Sequence, residues 1–257
     1  MLSPSFVLSG AGVGLLVGLT GVGGGSLMTP MLILVYGVPV NTAVATDLLF
    51  AAATNVAATS IHGAQGSVQW RITLLLAAGS VPATAATLAV LHGQAPQSGE
   101  AQRLMAVTLG AALILTAIAI LLRPRLVAWA ASRHAPPMMR ARAAATVATG
   151  AVIGVIVTLC SVGAGAIGVT ALLLLYPGTR TVRIIASDIA HTVPLTLLAG
   201  AGRWYLGGTD FGLAASLLAG SLPAVLIGGL LAHRLPDRVV RFVLALVLLA
   251  TGARLLA

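Results

Sequence analysis

Two aspartates set inside apolar sequence are the residues of this chain best placed to do chemistry. Asp47 and Asp188 each follow a hydroxyl residue, Thr46 and Ser187. A carboxylate near the middle of a membrane helix costs roughly 2.5–3.5 kcal/mol on insertion scales, so it faces a polar cavity or a partner. Three readings stay open for the pair. Each aspartate can cap a broken helix by accepting backbone N–H bonds, carry a proton or cation coupled to transport, or sit at an interface with no special role. His191 lies three residues after Asp188, on the same helix face. A histidine there can relay protons near neutral pH or simply pack and donate one hydrogen bond. The matched position of the first half is Phe50, so the pairing is one-sided.

The second chemical feature is the run Thr20-Gly21-Val22-Gly23-Gly24-Gly25-Ser26 inside a long hydrophobic segment. Each glycine costs a helix about 1 kcal/mol relative to alanine, so the helix breaks there. Opened backbone in a bilayer must line a cavity or lie buried in protein. The helix restarting near Ser26 would turn free N–H groups and a positive dipole end toward that space. A weaker copy, Cys160-Ser161-Val162-Gly163-Ala164-Gly165-Ala166, recurs later. The expected substrate site lies between the two breaks. It comprises Gly21, Gly23, Gly24, Gly25, Ser26, Ser161, Gly163 and Gly165, with Thr46, Asn55 and Ser187 as neutral polar lining. Asp47, Asp188 and His191 serve proton coupling or helix capping. Cys160 is a small packing residue or a contact for a sulfur-containing ligand.

Other chemistries lack their residues. The glycine run has no following Gly-Lys-Ser/Thr and no dinucleotide fingerprint, and there is no His-Glu-x-x-His. One cysteine excludes an internal disulfide and a cysteine metal cluster. No enzyme, cofactor or metal is expected.

The elements that must hold these residues are membrane helices. The 257 residues are 58% hydrophobic and 7% charged, against roughly 25% charged in soluble domains. The mean hydropathy is +1.05. The net charge of +9 comes from arginines spread singly or in pairs between apolar runs, which is the positive-inside pattern and not a nucleic-acid surface. No basic region precedes the first run, which reads as part of a first helix. Apolar runs cover 5–36 (broken), 42–62, 72–92 and 101–122, then 144–176 (broken), 182–201, 211–232 and 239–256. The unbroken ones approach the roughly 20 residues that cross a bilayer. The chain divides into a first transmembrane repeat, 1–122, a basic cytoplasmic connector, 123–143, and a second transmembrane repeat, 144–257.

The halves are duplicates. Gly23, Gly25 and Tyr36 match Gly163, Gly165 and Tyr176. One extra residue later, Thr46-Asp47 matches Ser187-Asp188, Gly66 matches Gly207, Gly79-Ser80-Val81-Pro82 matches Gly220-Ser221-Leu222-Pro223, and His92 matches His233. An odd number of crossings per half puts eleven of the 14 arginines on the cytoplasmic side; an even number puts eight there. The charge rule therefore favours inverted repeats, each opening with a glycine-broken, re-entrant or hairpin-like helix. No arginine is expected within a span core, and Arg203, matched to His62 at a helix end, reads as an anchor, with substrate binding the alternative.

The run Gly21-Val22-Gly23-Gly24-Gly25-Ser26-Leu27-Met28-Thr29-Pro30, followed by Ala43-Val44-Ala45-Thr46-Asp47, resembles the TauE/SafE family of sulfite-exporter-like permeases over nearly the whole chain. The second copy differs, with Thr170 at the position of Pro30. The resemblance implies an all-α, multi-pass protein of the bacterial plasma (inner) membrane. It implies a small anionic substrate, a sulfur oxyanion or organosulfonate, carried by alternating access with proton coupling open. Helix N-termini suit such an anion. The partners expected are that anion and the lipid bilayer, with a homodimer open and nucleic acid excluded. A passive anion channel and a non-transporting membrane anchor are the alternatives.

Overall fold

A computed structural model describes residues 4–20, 25–92, 99–132, 139–207, 209–231 and 237–256. All regular structure among them is helical. The helices are α1 (Pro4–Thr20), α2 (Gly25–Leu34), α3 (Val40–Ala64), α4 (Trp70–His92), α5 (Gly99–Ser132), α6 (Met139–Cys160), α7 (Val169–Leu175), α8 (Thr181–Tyr205), α9 (Phe211–Leu231) and α10 (Asp237–Leu256), with a π turn at Ala164–Gly168. Five helices are long and apolar enough to cross a membrane: α3, α4, Met105–Ala128 within α5, α6 and α8.

The segment expected as a basic connector is largely helix. Apolar sequence was read as ending at 122, yet α5 continues past Pro124 to Ser132 and α6 opens at Met139. A proline removes one backbone bond but does not end a helix whose following residues favour it. Leu126-Val127-Ala128-Trp129-Ala130-Ala131 is such a run, and Val127 packs against the cluster formed by Ile72, Leu76, Val169 and Ile184.

The short turns after α3 and α8 use matched glycines. Gly66 (φ 62°) and Gly207 (φ 77°) sit in the left-handed region just past the helix ends, where a side chain would be strained. Their N–H groups are taken by Gly63 O and Trp204 O.

Helix pairing exchanges partners between the halves. In the first half α1 lies on α9 of the second, and in the second half α6 lies on α4 of the first; α3 packs on α8 and α5 on α10. The exchanged pairs meet backbone to backbone at glycines. A Cβ at Gly14 would lie 2.6 Å from Ser221 O, and one at Gly154 would lie 2.6 Å from Ser80 O. Gly10 abuts Leu217 O, Gly150 abuts Leu76 O, Gly79 abuts Val147 O and Gly220 abuts Val7 O. These glycine contacts are matched between the seams: Gly10 with Gly150, Gly14 with Gly154 and Gly220 with Gly79. Small residues let helices come this close where lipid provides no hydrophobic force between them. Along the second seam Leu76, Ser80 and Thr84 meet Gly150, Gly154 and Thr158 in order, so α4 and α6 run in the same direction.

The tyrosines that follow α2 and α7 contact the starts of α1 and α6. The Tyr176 hydroxyl, just past α7, bonds Thr146 Oγ1 near the start of α6 at 2.9 Å. In the first half Tyr36 bonds Ser9 Oγ and donates to Ser5 O at 3.1 Å, with its ring on Phe6.

Filling the seams should therefore be costly. Gly79→Val and Gly220→Val are each expected to destabilise by roughly 1–3 kcal/mol, because the obstacles, Val147 O and Val7 O, are backbone that cannot rotate away. Gly12→Ala, with open space around it, should leave the thermal midpoint of the detergent-purified protein within a degree or two. Equal midpoints for all three would mean the seams do not hold the halves together.

Candidate functional site

The break in the second half can be followed residue by residue. α6 ends at Cys160, and Ser161 takes φ 60°, the only non-glycine residue with positive φ among the described residues. A left-handed residue with a Cβ costs about 1–2 kcal/mol. Gly163 follows at φ 108°, and the π turn resumes with Ile167 N–H bonded to Gly163 O at 3.0 Å. Gly165 lies within that turn. Regular α-helix begins only at Val169.

This tip reaches Asp47. The carboxylate is fully buried on α3 and accepts from Thr29 Oγ1 at 2.5 Å through Oδ2. Among the described residues Asp47 Oδ1 and Ser161 Oγ have no other hydrogen-bond partner, and the Ser161 side chain lies close enough to the carboxyl to interact with it. Both residues are buried, Asp47 at 0% and Ser161 at 6% exposure. An unpaired buried polar group costs about 1–3 kcal/mol. Asp47 Oδ1 and Ser161 Oγ are two such groups, and Ser161 also carries the strained backbone; features of this kind cluster at ligand and proton sites.

Asp188 lies in a second polar cluster. Its Oδ1 is 3.9 Å from His191 Nδ1, and both atoms lack a hydrogen bond. His191 Nε2 is 3.0 Å from Ser80 Oγ on α4. Gly168 of the π turn gives the carboxylate its space, since a Cβ there would overlap Asp188 Oδ1. His191 is thus fixed at one ring nitrogen and free at the other, beside a carboxylate.

The hydroxyls expected to line a cavity have structural partners. Ser187 Oγ accepts from Gln69 N–H at 2.8 Å and donates to Arg183 O, while Thr46 Oγ1 accepts from Asp210 N–H at 3.4 Å. Gln69 and Asp210 precede the matched helices α4 and α9, so these bonds are a repeated pair crossing the halves. Asn55 is buried two turns after Asp47. Gly25 opens α2. Gly21, Gly23, Gly24 and the side chain of Ser26 lie outside the described residues.

Arg203 sits in the last turn of α8, the helix end expected for it, but its side chain is turned into the protein and is 1% exposed. Its Nε and Nη2 donate to Thr158 O at 3.2 and 2.9 Å, Nη2 also to Leu159 O at 3.2 Å, and Nη1 to Asn41 Oδ1 at 2.7 Å and Met105 Sδ at 3.5 Å. The physical reason lies in α6. Its last carbonyls have no helical partner once the chain leaves the helix, and a cation complements that dipole end. Thr29, Ser80 and Asn41 also went unforeseen as partners. Comparison of the repeats hides Thr29, whose matched residue is Val169.

The family model for the sulfite exporter TauE/SafE matches residues 6–255. The chain is 35% identical over 261 residues to the "Probable membrane transporter protein YjnA" of Bacillus subtilis (strain 168), covering 99% of this chain and 100% of that protein. No solved structure matches.

Thr29→Val should remove the one bond made by Asp47 Oδ2 and destabilise the protein by about 1–3 kcal/mol. Thr29→Val combined with Asp47→Asn should cost less than the sum of the single changes, because the two act through one contact. Strict additivity in thermal or denaturant unfolding would break the link between α2 and α3.

Proposed function

This chain belongs to the sulfite exporter TauE/SafE family, and on that premise we propose that it carries a small anion, a sulfur oxyanion or organosulfonate, across the membrane by proton-coupled alternating access. The observation that carries the reading is the pair of buried groups with no other hydrogen-bond partner, Asp47 Oδ1 and Ser161 Oγ, at the tip of an interrupted helix. A neutral hydroxyl and freed backbone suit a weakly held oxyanion. A carboxylate beside that anion is repulsive unless it has taken up a proton, in which case it becomes a donor. Anion and proton then favour one another's binding at the same place, which is thermodynamic coupling. Asp188 with His191 supplies a second proton-accepting pair in the other polar cluster.

Inverted repeats give the alternation. Support comes from the direction of the contacts: α4 runs with α6, and Thr73, Ser80 and Leu88 of α4 meet Ser187, His191 and Gly202 of α8 in order. On the other seam Gly10 and Gly14 of α1 meet Leu217 and Ser221 of α9 in order. With tight turns reversing the chain after α3 and α8, each first-half helix then points against its counterpart. The tyrosine contacts that bring Tyr36 and Tyr176 back to the start of α1 and α6 support a hairpin opening each half. Related by inversion, the two hairpins would face opposite sides of the membrane.

In proteoliposomes, an imposed pH gradient should drive sulfite or thiosulfate flux through the wild-type protein. The Asp47→Asn/Asp188→Asn double variant should lose this response by at least about tenfold, by analogy with removing a positioned proton carrier, while retaining exchange of labelled for unlabelled anion. Unaltered pH-driven flux would remove both aspartates from coupling. Flux that shows no trans-stimulation would indicate a passive channel. Stabilisation of the purified protein by small carboxylates and by no sulfur oxyanion or sulfonate would end the substrate assignment.

A further inference from the structure

Arg203 takes no part in the mechanism above, yet it is among the largest fully buried side chains of the protein. Its surroundings are unusual for a buried cation. Every acceptor it reaches is neutral: two backbone carbonyls, an amide oxygen and a thioether sulfur. A guanidinium has five N–H groups, and these contacts occupy them: one at Nε, two at Nη1 and two at Nη2. The fork has no donor left for an anion, so Arg203 is not a ligand-binding arginine in this state.

Where it holds is informative. Thr158 and Leu159 are the last residues of α6 before Cys160 and the left-handed Ser161. Asn41 is in the first turn of α3, the helix that carries Asp47. One side chain, from α8, thus ties the end of the interrupted helix to the start of the helix bearing the carboxylate. Ser161 N–H still bonds Val157 O at 2.7 Å, so helical bonding runs to Val157 O and the carbonyls that Arg203 grips are the next two along the chain. Ordinarily those carbonyls would bond amides of a continuing helix. With the guanidinium in that place, the chain can turn aside and hold Ser161 in its strained conformation.

We propose that Arg203 is the positioning residue for Ser161: by clamping Thr158 O and Leu159 O and anchoring on Asn41, it fixes the Ser161 hydroxyl opposite Asp47 across the two halves. The fork geometry does this work, since a lysine has the charge but cannot reach four acceptors in one plane. The role of Ser161 in anion binding rests on the function proposed above; the bracing of the tip does not.

The single cysteine of the chain, Cys160, reports on the tip directly, because it adjoins Ser161 and is fully buried. The test is the rate of N-ethylmaleimide labelling of Cys160 in the full-length protein in lipid vesicles. Arg203→Gln and Arg203→Lys should both label at least about tenfold faster than wild type, as expected for loss of several charge-assisted bonds holding a local opening shut. Asn41→Ala should lie between them and wild type, and Arg71→Gln, an exposed arginine on α4, should match wild type. Labelling within twofold of wild type in a monodisperse Arg203→Gln protein would overturn the proposal. Slow labelling of Arg203→Lys would also overturn the fork argument. If the Arg203 variants do not fold, Asn41→Ala decides alone, and unchanged labelling there overturns it.

A second readout addresses action through Ser161. The half-saturating concentration for sulfite flux should rise in Arg203→Lys and in Ser161→Ala, and the double variant should be no worse than the poorer single. Independent effects that multiply would show that Arg203 does not act through Ser161. Fast labelling of the variants together with a wild-type protein that moves none of the anions would leave the brace standing and remove the transport reading.

Discussion

Backbone polar groups buried among apolar helices must find partners inside the protein, and the interrupted helix between Cys160 and Val169 turns that requirement into architecture. Where α6 stops, Thr158 and Leu159 carbonyls are claimed by Arg203, and Gly163 O by Ile167 N–H. Of the groups brought to this tip, Asp47 Oδ1 and Ser161 Oγ are left over. A buried arginine, an aspartate held by Thr29 and a left-handed serine are thus three consequences of one break.

The exchange of partners between halves explains how such a break is tolerated. The helices that open each half, α1 and α6, gain little from their own repeat and lie instead on α9 and α4. Glycines on both sides of each seam remove the side chains that would keep the backbones apart. The close approach gives a rigid arm on which the tip is carried, and the bonds Gln69 N–H to Ser187 Oγ and Asp210 N–H to Thr46 Oγ1 repeat the same logic in the turns. Each half is completed by the other.

Much of this was legible in the order of residues. Composition gave membrane helices, run lengths gave their extent, and the glycine clusters gave a break that the second half displays at 161–163. Asp47, Asp188 and His191 were identified because a charge in an apolar run is expensive, and all three are buried. The repeat register also contained the seams: Gly10 and Gly150, Gly14 and Gly154, Gly79 and Gly220 are matched pairs. Their meaning was not visible, since nothing in one half says that its glycines face the other. Thr46 and Ser187 were read as cavity lining because hydroxyls near a buried carboxylate suggest it, yet loop amides from the opposite half take them. The extension of α5 past Pro124 was missed because a proline and two arginines look like the end of a span.

The sequence by itself determined the helical class, the repeat register, the break after Cys160 and the isolated acids, because periodicity, composition and glycine content act over a few neighbouring residues. Only the tertiary structure decided which polar groups meet: Thr29 with Asp47, His191 with Ser80, Arg203 with the end of α6 and with Asn41. Those pairs join segments far apart in the chain, and in several cases one partner has no counterpart in the other repeat. Distance along the chain carries no information about such contacts; the packing of the exchanged helices alone brings them within bonding reach.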